Sequence, residues 1–132
     1  MKKDFIKWHS HKTKIDQIEN RPFFHEREIW FCYLGANIGF EEDGGKDFLR
    51  PVVIVRKFSK EIFWGIPLTN TNKKDAPYYF SFVFLREGIE HKNTVLLSQI
   101  RLIDARRLSY QIGEISKDDF KNLIEKLKRL FP

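Results

Sequence analysis

Cysteine, histidine and long apolar runs are the scarce features of this 132-residue chain. A single cysteine, Cys32, cannot close an internal disulfide, so a hydrophobic core must hold the fold. Its setting, Trp30-Phe31-Cys32-Tyr33, reads as a strand thiol, and the chain is expected in a reducing cytoplasm. A thiolate metal site is out of reach with one cysteine. The imidazoles offer no substitute: His9 and His11 are two residues apart and do not share a helix face, while His25 and His91 stand singly. No metal and no cofactor are therefore expected. No stretch approaches the ~20 apolar residues that cross a bilayer, and Met1-Lys2-Lys3-Asp4 is not followed by the apolar region of a secretory signal. P-loop, GxGxxG and HExxH motifs are absent as well.

Basic charge and phenylalanine are abundant. The net charge of +6 favours an acidic partner such as nucleic acid, although a charge of this size also serves solubility alone. Its distribution is uneven. Residues 101–132 hold eight Lys+Arg against five acids, and residues 51–60 hold three basic residues and no acid. The segment 35–49 is acidic, with Glu41, Glu42, Asp43 and Asp47 against Lys46. Thirteen phenylalanines exceed what chance would scatter on a surface, so most must be core, with some left as stacking platforms for bases.

The chain reads as one domain of short strands closed by a helix. Residues 2–19 carry Phe5, Trp8, Ile15 and Ile18 on one helical stripe, ended by Asn20-Arg21-Pro22. An N-terminal helical extension over 1–22 is expected, and a β-rich domain over 23–132. Strands are expected at 27–34, 51–58, 61–68, 78–85, 94–104 and 109–113. The second and third pair as a hairpin about Ser59-Lys60. Residues 86–93 are expected to connect strands. The last element, 117–131, has Ser116 as N-cap, Asp118 and Asp119 in its first turn and Lys126, Lys128 and Arg129 near its end. Phe120, Leu123, Ile124, Leu127, Leu130 and Phe131 form its apolar stripe. The fold class that follows is mainly β: a small, strongly curved antiparallel barrel with a C-terminal amphipathic helix and the extra N-terminal helix.

Chemistry concentrates where the acidic loop enters a strand. The run from Gly39 through Glu41 and Lys46 to Arg50-Pro51-Val52-Val53-Ile54-Val55 presents one arginine, held extended by the proline after it. The planar fork of a guanidinium suits a phosphate, and the bland alternative is a salt bridge to a loop acid. Thr69, after Pro67-Leu68, offers a hydroxyl that either donates to a phosphate or caps a turn. Ser98-Gln99-Ile100-Arg101 gives polar reading groups at another strand end. His25 and His91 could act as acid and base, but nothing in the sequence brings them together, and His25 in Phe23-Phe24-His25-Glu26 is better read as a surface loop residue.

Taken in order, these pieces resemble a known family. Gly39-Phe40-Glu41 with Gly44, Arg50-Pro51-Val52-Val53-Ile54-Val55, Pro67-Leu68-Thr69, Val95-Leu96-Leu97-Ser98-Gln99-Ile100-Arg101-Leu102-Ile103-Asp104-Ala105-Arg106-Arg107-Leu108, then Ile112-Gly113-Glu114-Ile115-Ser116 and the final helix are similar to the MazF/PemK (Kid-like) toxins of type II toxin–antitoxin systems. The resemblance spans about residues 27–131. It implies an SH3-like barrel, a homodimer, and metal-independent, sequence-specific cleavage of single-stranded RNA. It also implies inhibition by a cognate antitoxin. Carried over by position, Arg50 and Thr69 are the catalytic pair, with Glu41 as a candidate base. Phe40, Lys46, Asn70, Gln99 and Arg101 are the expected RNA contacts, and Phe40 or Trp64 could stack bases. The chain departs from the family pattern in Phe40, where a serine is usual, and in a longer loop before Arg50. The alternative from another class is a non-enzymatic nucleic-acid-binding or gyrase-inhibitor-like module on the same barrel.

Overall fold

The computed structural model describes residues 21–35, 49–71, 73 and 76–132. The expected helix over 2–19 and most of the acidic loop, including Phe40, Glu41 and Lys46, lie outside the described residues. The described residues form seven strands: β1 (Glu28–Tyr33), β2 (Leu49–Lys57), β3 (Ile62–Thr69), β4 (Tyr79–Arg86), β5 (Ile89–Leu96), β6 (Arg101–Asp104) and β7 (Leu108–Glu114). One helix, α1 (Lys117–Lys128), follows. The strands pair antiparallel in the order β4-β5-β3-β2-β1-β7, and β6 adds to the free part of β3.

The sheet curls into a nearly closed half-barrel. β7 reaches β4 without pairing. A Cβ on Gly113 would sit 2.5 Å from the Phe84 ring and 3.3 Å from the Leu85 carbonyl, so only glycine permits this approach. The curl encloses the larger core, in which Ile29, Val53, Val55, Ile66, Leu68, Phe82, Phe84 and Val95 meet Leu123 and Leu127 of α1. Ser116 caps that helix by accepting from the Asp119 amide at 3.1 Å, as its position before the apolar stripe predicts. A second core lies on the opposite face of β1–β2–β3–β6. It contains Trp30, Cys32, Val52, Ile54, Phe63, Ile103 and Leu108, with Phe24 against Phe63. Alternation along β2 explains both as far as Val55: odd residues face one core and even residues the other, until a register shift between Ile54 and Arg56 sets Arg56 opposite Trp64.

Two expectations are corrected. Residues 94–104 are not one strand. β5 ends at Leu96, a 3₁₀ turn occupies Leu97–Gln99, and β6 then pairs with β3 instead of β4. The break redirects the chain across the sheet. Residues 86–93 are not a connection but mostly strand. A two-residue turn at Glu87 (φ 53°) and Gly88 (φ 76°) joins β4 to β5 tightly enough for Arg86 to pair with Ile89. Two successive positive φ values are the geometry of a tight hairpin, and Glu-Gly is a weaker signal for it than Asn-Gly. Arg27 also holds a positive φ of 78°. Its amide donates to the Ile54 carbonyl at 2.8 Å, and its carbonyl accepts from the Ile115 amide at 2.9 Å, which fixes an unfavourable conformation where β1 begins.

Candidate active site

Arg50 lies inside β2, not at its mouth, because the strand begins at Leu49. It pairs with Cys32 of β1, which in turn pairs with Leu108 of β7. On the other side, the β2–β3 ladder runs to Val52 opposite Pro67, and Arg50 and Thr69 each lie two residues further along. Continued by that step, the antiparallel register sets the two opposite each other on one face. Thr69 pairs with Thr94 of β5, and Thr94 with Ser81 of β4. A transverse polar row thus crosses the sheet on the face away from the helix: Ser81, Thr94, Thr69 and Arg50, ending at Cys32.

The local chemistry of this row is specific. Thr69 Oγ1 accepts the Thr71 amide at 3.2 Å, an arrangement that commits an acceptor lone pair and leaves the hydroxyl hydrogen to act as donor. Thr94, 3% exposed, shares a hydrogen bond of 3.0 Å with Ser81, so the hydroxyl behind Thr69 is itself held. Arg50 is 8% exposed, which restrains a side chain that would otherwise lose much rotamer freedom on binding. Beneath it, burial pushes the Cys32 thiol up to about 12, while Arg107 and Arg101 pull it down. The thiol is therefore neutral at physiological pH and places no anion against the guanidinium. Arg101 pairs with Gly65, on the Thr69 face of β3. Arg50 of β2 and Arg101 of β6 therefore share the Thr69 face, and guanidinium donors of this kind suit a phosphodiester.

Gly65, opposite Arg101, lets the strands beneath this face pack closely. A Cβ there would lie 2.5 Å from Val52 Cγ1 and 2.9 Å from both Ile103 Cδ1 and Phe63 Cε2. Its absence lets β2, β3 and β6 pack closely beneath the arginines. Next along the chain, Asp104 organises the turn into β7. Partial burial opposes its ionisation, but hydrogen bonds from the Arg106 side chain and amide and from Arg21 outweigh this and hold the carboxyl well below the usual carboxylate range.

Among the other sequence-predicted residues, Asn70 is exposed directly after Thr69. Gln99 ends the 3₁₀ turn, and its side-chain carbonyl oxygen is buried with no hydrogen-bond partner among the described residues. A buried unmet acceptor is costly unless a ligand completes it. Trp64 does not join this group: it lies five residues before Thr69 and on the other face of β3. His25 pairs with Glu28 at 3.2 Å on an exposed loop, whereas His91 lies on β5 against Phe84. The sequence alone did not single out Thr94, Cys32 or Arg107. Their roles depend on which strands lie side by side, which no local motif reports.

The chain's residues 25–131 match the family model described as the PemK-like, MazF-like toxin of type II toxin–antitoxin system. This chain belongs to that toxin family. A curated relative is Endoribonuclease EndoA of Bacillus subtilis (strain 168). It is 26% identical over 106 residues, which cover 76% of this chain and 88% of that protein. Two solved structures share the fold of this toxin. Mycobacterium tuberculosis toxin MazF-mt6 matches with a TM-score of 0.59 and 19% identity, covering 80% of this chain and 96% of that one. MazE-MazF (Form-II) from Deinococcus radiodurans matches with a TM-score of 0.53 and 17% identity, covering 85% and 96%. The MazF/PemK resemblance and the mainly β fold with its C-terminal helix are thus borne out. Among the described residues, no helix is long and apolar enough to cross a membrane.

Proposed function

We propose that this toxin is a metal-independent endoribonuclease that cleaves single-stranded RNA at the Arg50–Thr69 face. The carrying observation is the register that sets a restrained arginine and an oriented hydroxyl on adjacent strands. Membership of the toxin family and similarity to a protein named as an endoribonuclease support the reaction class. The RNA 2′-hydroxyl attacks the adjacent phosphorus, the P–O5′ bond breaks, and the products are a 2′,3′-cyclic phosphate and a 5′-hydroxyl. Arg50 stabilises the charge that develops on the phosphorane oxygens, and Thr69 donates to the same group. A guanidinium is a poor proton acceptor at neutral pH, so Glu41 of the acidic loop is assigned the 2′ proton. Phe40, Lys46, Asn70, Gln99 and Arg101 contact the flanking nucleotides. Unpaired RNA is favoured because its bases splay out freely.

In the same reading residues 23–132 form the catalytic unit and residues 1–22 an extension of it. The unit works as a cytoplasmic homodimer and is neutralised by a cognate antitoxin. A solved relative whose name joins MazE to MazF supports the last point.

The test is end-group analysis of a mixed-sequence single-stranded RNA incubated with the purified protein in EDTA, with Arg50→Ala alongside. Discrete cuts with cyclic-phosphate and 5′-hydroxyl ends are expected. The variant should lose about 10²–10³ in rate, the usual cost of one such donor. Full activity in Arg50→Ala would remove Arg50 from the mechanism. No cutting by the unaltered protein would favour a binding or gyrase-inhibitor-like module.

A further inference from the structure

At the far end of the β2–β3 hairpin lies a second surface that the cleavage site does not use. Arg56 of β2 pairs with Trp64 of β3, and Trp64 with Leu102 of β6, so the three form a row on one face. This face opposes the one carrying Arg50, Thr69 and Arg101. Where the larger core ends, the row emerges into solvent: Trp64 is 42% exposed, Leu102 57%, and Phe58 beside them 47%. The rings of Phe58 and Trp64 meet edge to face at 5.0 Å, and the Arg56 guanidinium lies 6.0 Å from the Phe58 ring centre. Lys60 adds a cation at the hairpin tip, and among the described residues neither Arg56 nor Lys60 pairs with a carboxylate. Exposed aromatic rings among cations are costly as bare surface, and they match what an unpaired nucleic acid offers: stackable bases on an anionic backbone.

We propose that Trp64, Phe58 and Arg56 form a stacking platform for RNA outside the cleavage site, engaging nucleotides that flank the cut. Charge complementarity selects RNA as the occupant, since Arg56 lies beside the rings and Lys60 at the hairpin tip, while Lys57 turns to the other face and bonds the Phe24 carbonyl. The geometry supplies a path. Among the described residues β6 pairs only with β3, so its outer side is an edge of the described sheet, and its successive residues Arg101 and Leu102 face the two surfaces. A strand leaving Thr69 past Arg101 reaches Trp64 by crossing that edge. Five residues of β3 separate Thr69 from Trp64, about 17 Å at the usual strand rise. Short RNAs that fill the cleavage site will not reach the platform, and longer ones will. The proposal rests on the reading of the protein as an RNA-cleaving enzyme.

The experiment is equilibrium binding of two fluorescein-labelled, fully 2′-O-methyl single-stranded RNAs of about 4 and about 14 nucleotides, lengths chosen from the range such sites cover. These lack the attacking hydroxyl and are not cut. Trp64→Ala should weaken the long RNA about fivefold or more, fivefold being the low end for one lost base stack, and leave the short one unchanged. Arg56→Gln, which removes charge and no ring, should lower the slope of log affinity against log salt by about one for the long RNA only. It also guards against a folding defect in Trp64→Ala. Unchanged affinity for the long RNA, or equal losses on both lengths, would overturn the platform. So would a change in sedimentation mass of either variant, which would make this surface a protein interface. An unaltered protein that cleaves unmodified RNA while the variants bind normally would refute the platform alone; an unaltered protein that binds neither RNA would refute the cleavage reading with it.

Discussion

Along β2, Val53 and Val55 sink into a core that Leu123 and Leu127 of the C-terminal helix complete, while Arg50, Val52 and Ile54 run from a guanidinium into a smaller core on the other side. The helix-sealed face is apolar until the row of Arg56, Trp64 and Leu102 at the far end of the hairpin. The second face is apolar only where β2, β3 and β6 lie closest, then gives way to Arg50, Thr69 and Arg101. A strand with period two can serve both at once. The contrast suggests that the first face holds the fold and the second holds the chemistry, using the stiffness of the sheet to place two side chains that no loop would position as well.

Substitutions on each face can break this comparison or sharpen it. The largest stability effect is expected on the sealed face. Leu123→Ala, at a fully buried position, should cost about 2–5 kcal/mol in chemical denaturation. RNA cleavage per folded molecule should be preserved; a loss of activity without a loss of stability would tie the helix to the site. A smaller effect is expected at Gly65, where the faces meet. Gly65→Ala should cost about 1–3 kcal/mol through overpacking against Val52, Ile103 and Phe63. It should also slow cleavage although it touches no substrate, because it pushes apart the strands carrying Arg50, Thr69 and Arg101. Normal cleavage in that variant would show that the close packing beneath the arginines is not needed. The smallest effect concerns pH. The Asp104 carboxyl is held below its unfolded value, so its contribution is present above the ordinary carboxylate pKa of about 4 and is lost as pH falls through the depressed folded value. Asp104→Asn should therefore flatten the acid limb of the stability–pH curve; an unchanged limb would exclude Asp104 as a source of acid sensitivity.

Much of the fold was legible because its signals are local. β-branched runs, the proline at position 51, the Ser116 cap and the terminal apolar stripe each act within a few residues. Arg50 and Thr69 were singled out from Arg50-Pro51 and Pro67-Leu68-Thr69 and from the family resemblance that these motifs carry. What stayed hidden depends on neighbours in space. The break after Leu96 sends β6 to β3, and only then does Arg101 join Thr69's face and Leu102 the opposite one. The tight turn at Glu87-Gly88 extends β5 back to Ile89, which creates the full β4–β5 ladder and the Ser81–Thr94 contact within it. Cys32 is unremarkable in sequence and acquires meaning only as the neutral residue opposite Arg50.

The most direct test of the account is a double-mutant cycle on single-turnover RNA cleavage with Arg50→Ala, Thr69→Val and the two combined. If both side chains grip one phosphate as a unit, the double variant should be scarcely slower than the slower single variant. Losses that simply multiply would mean that Arg50 and Thr69 act independently, and the shared-phosphate site would be wrong.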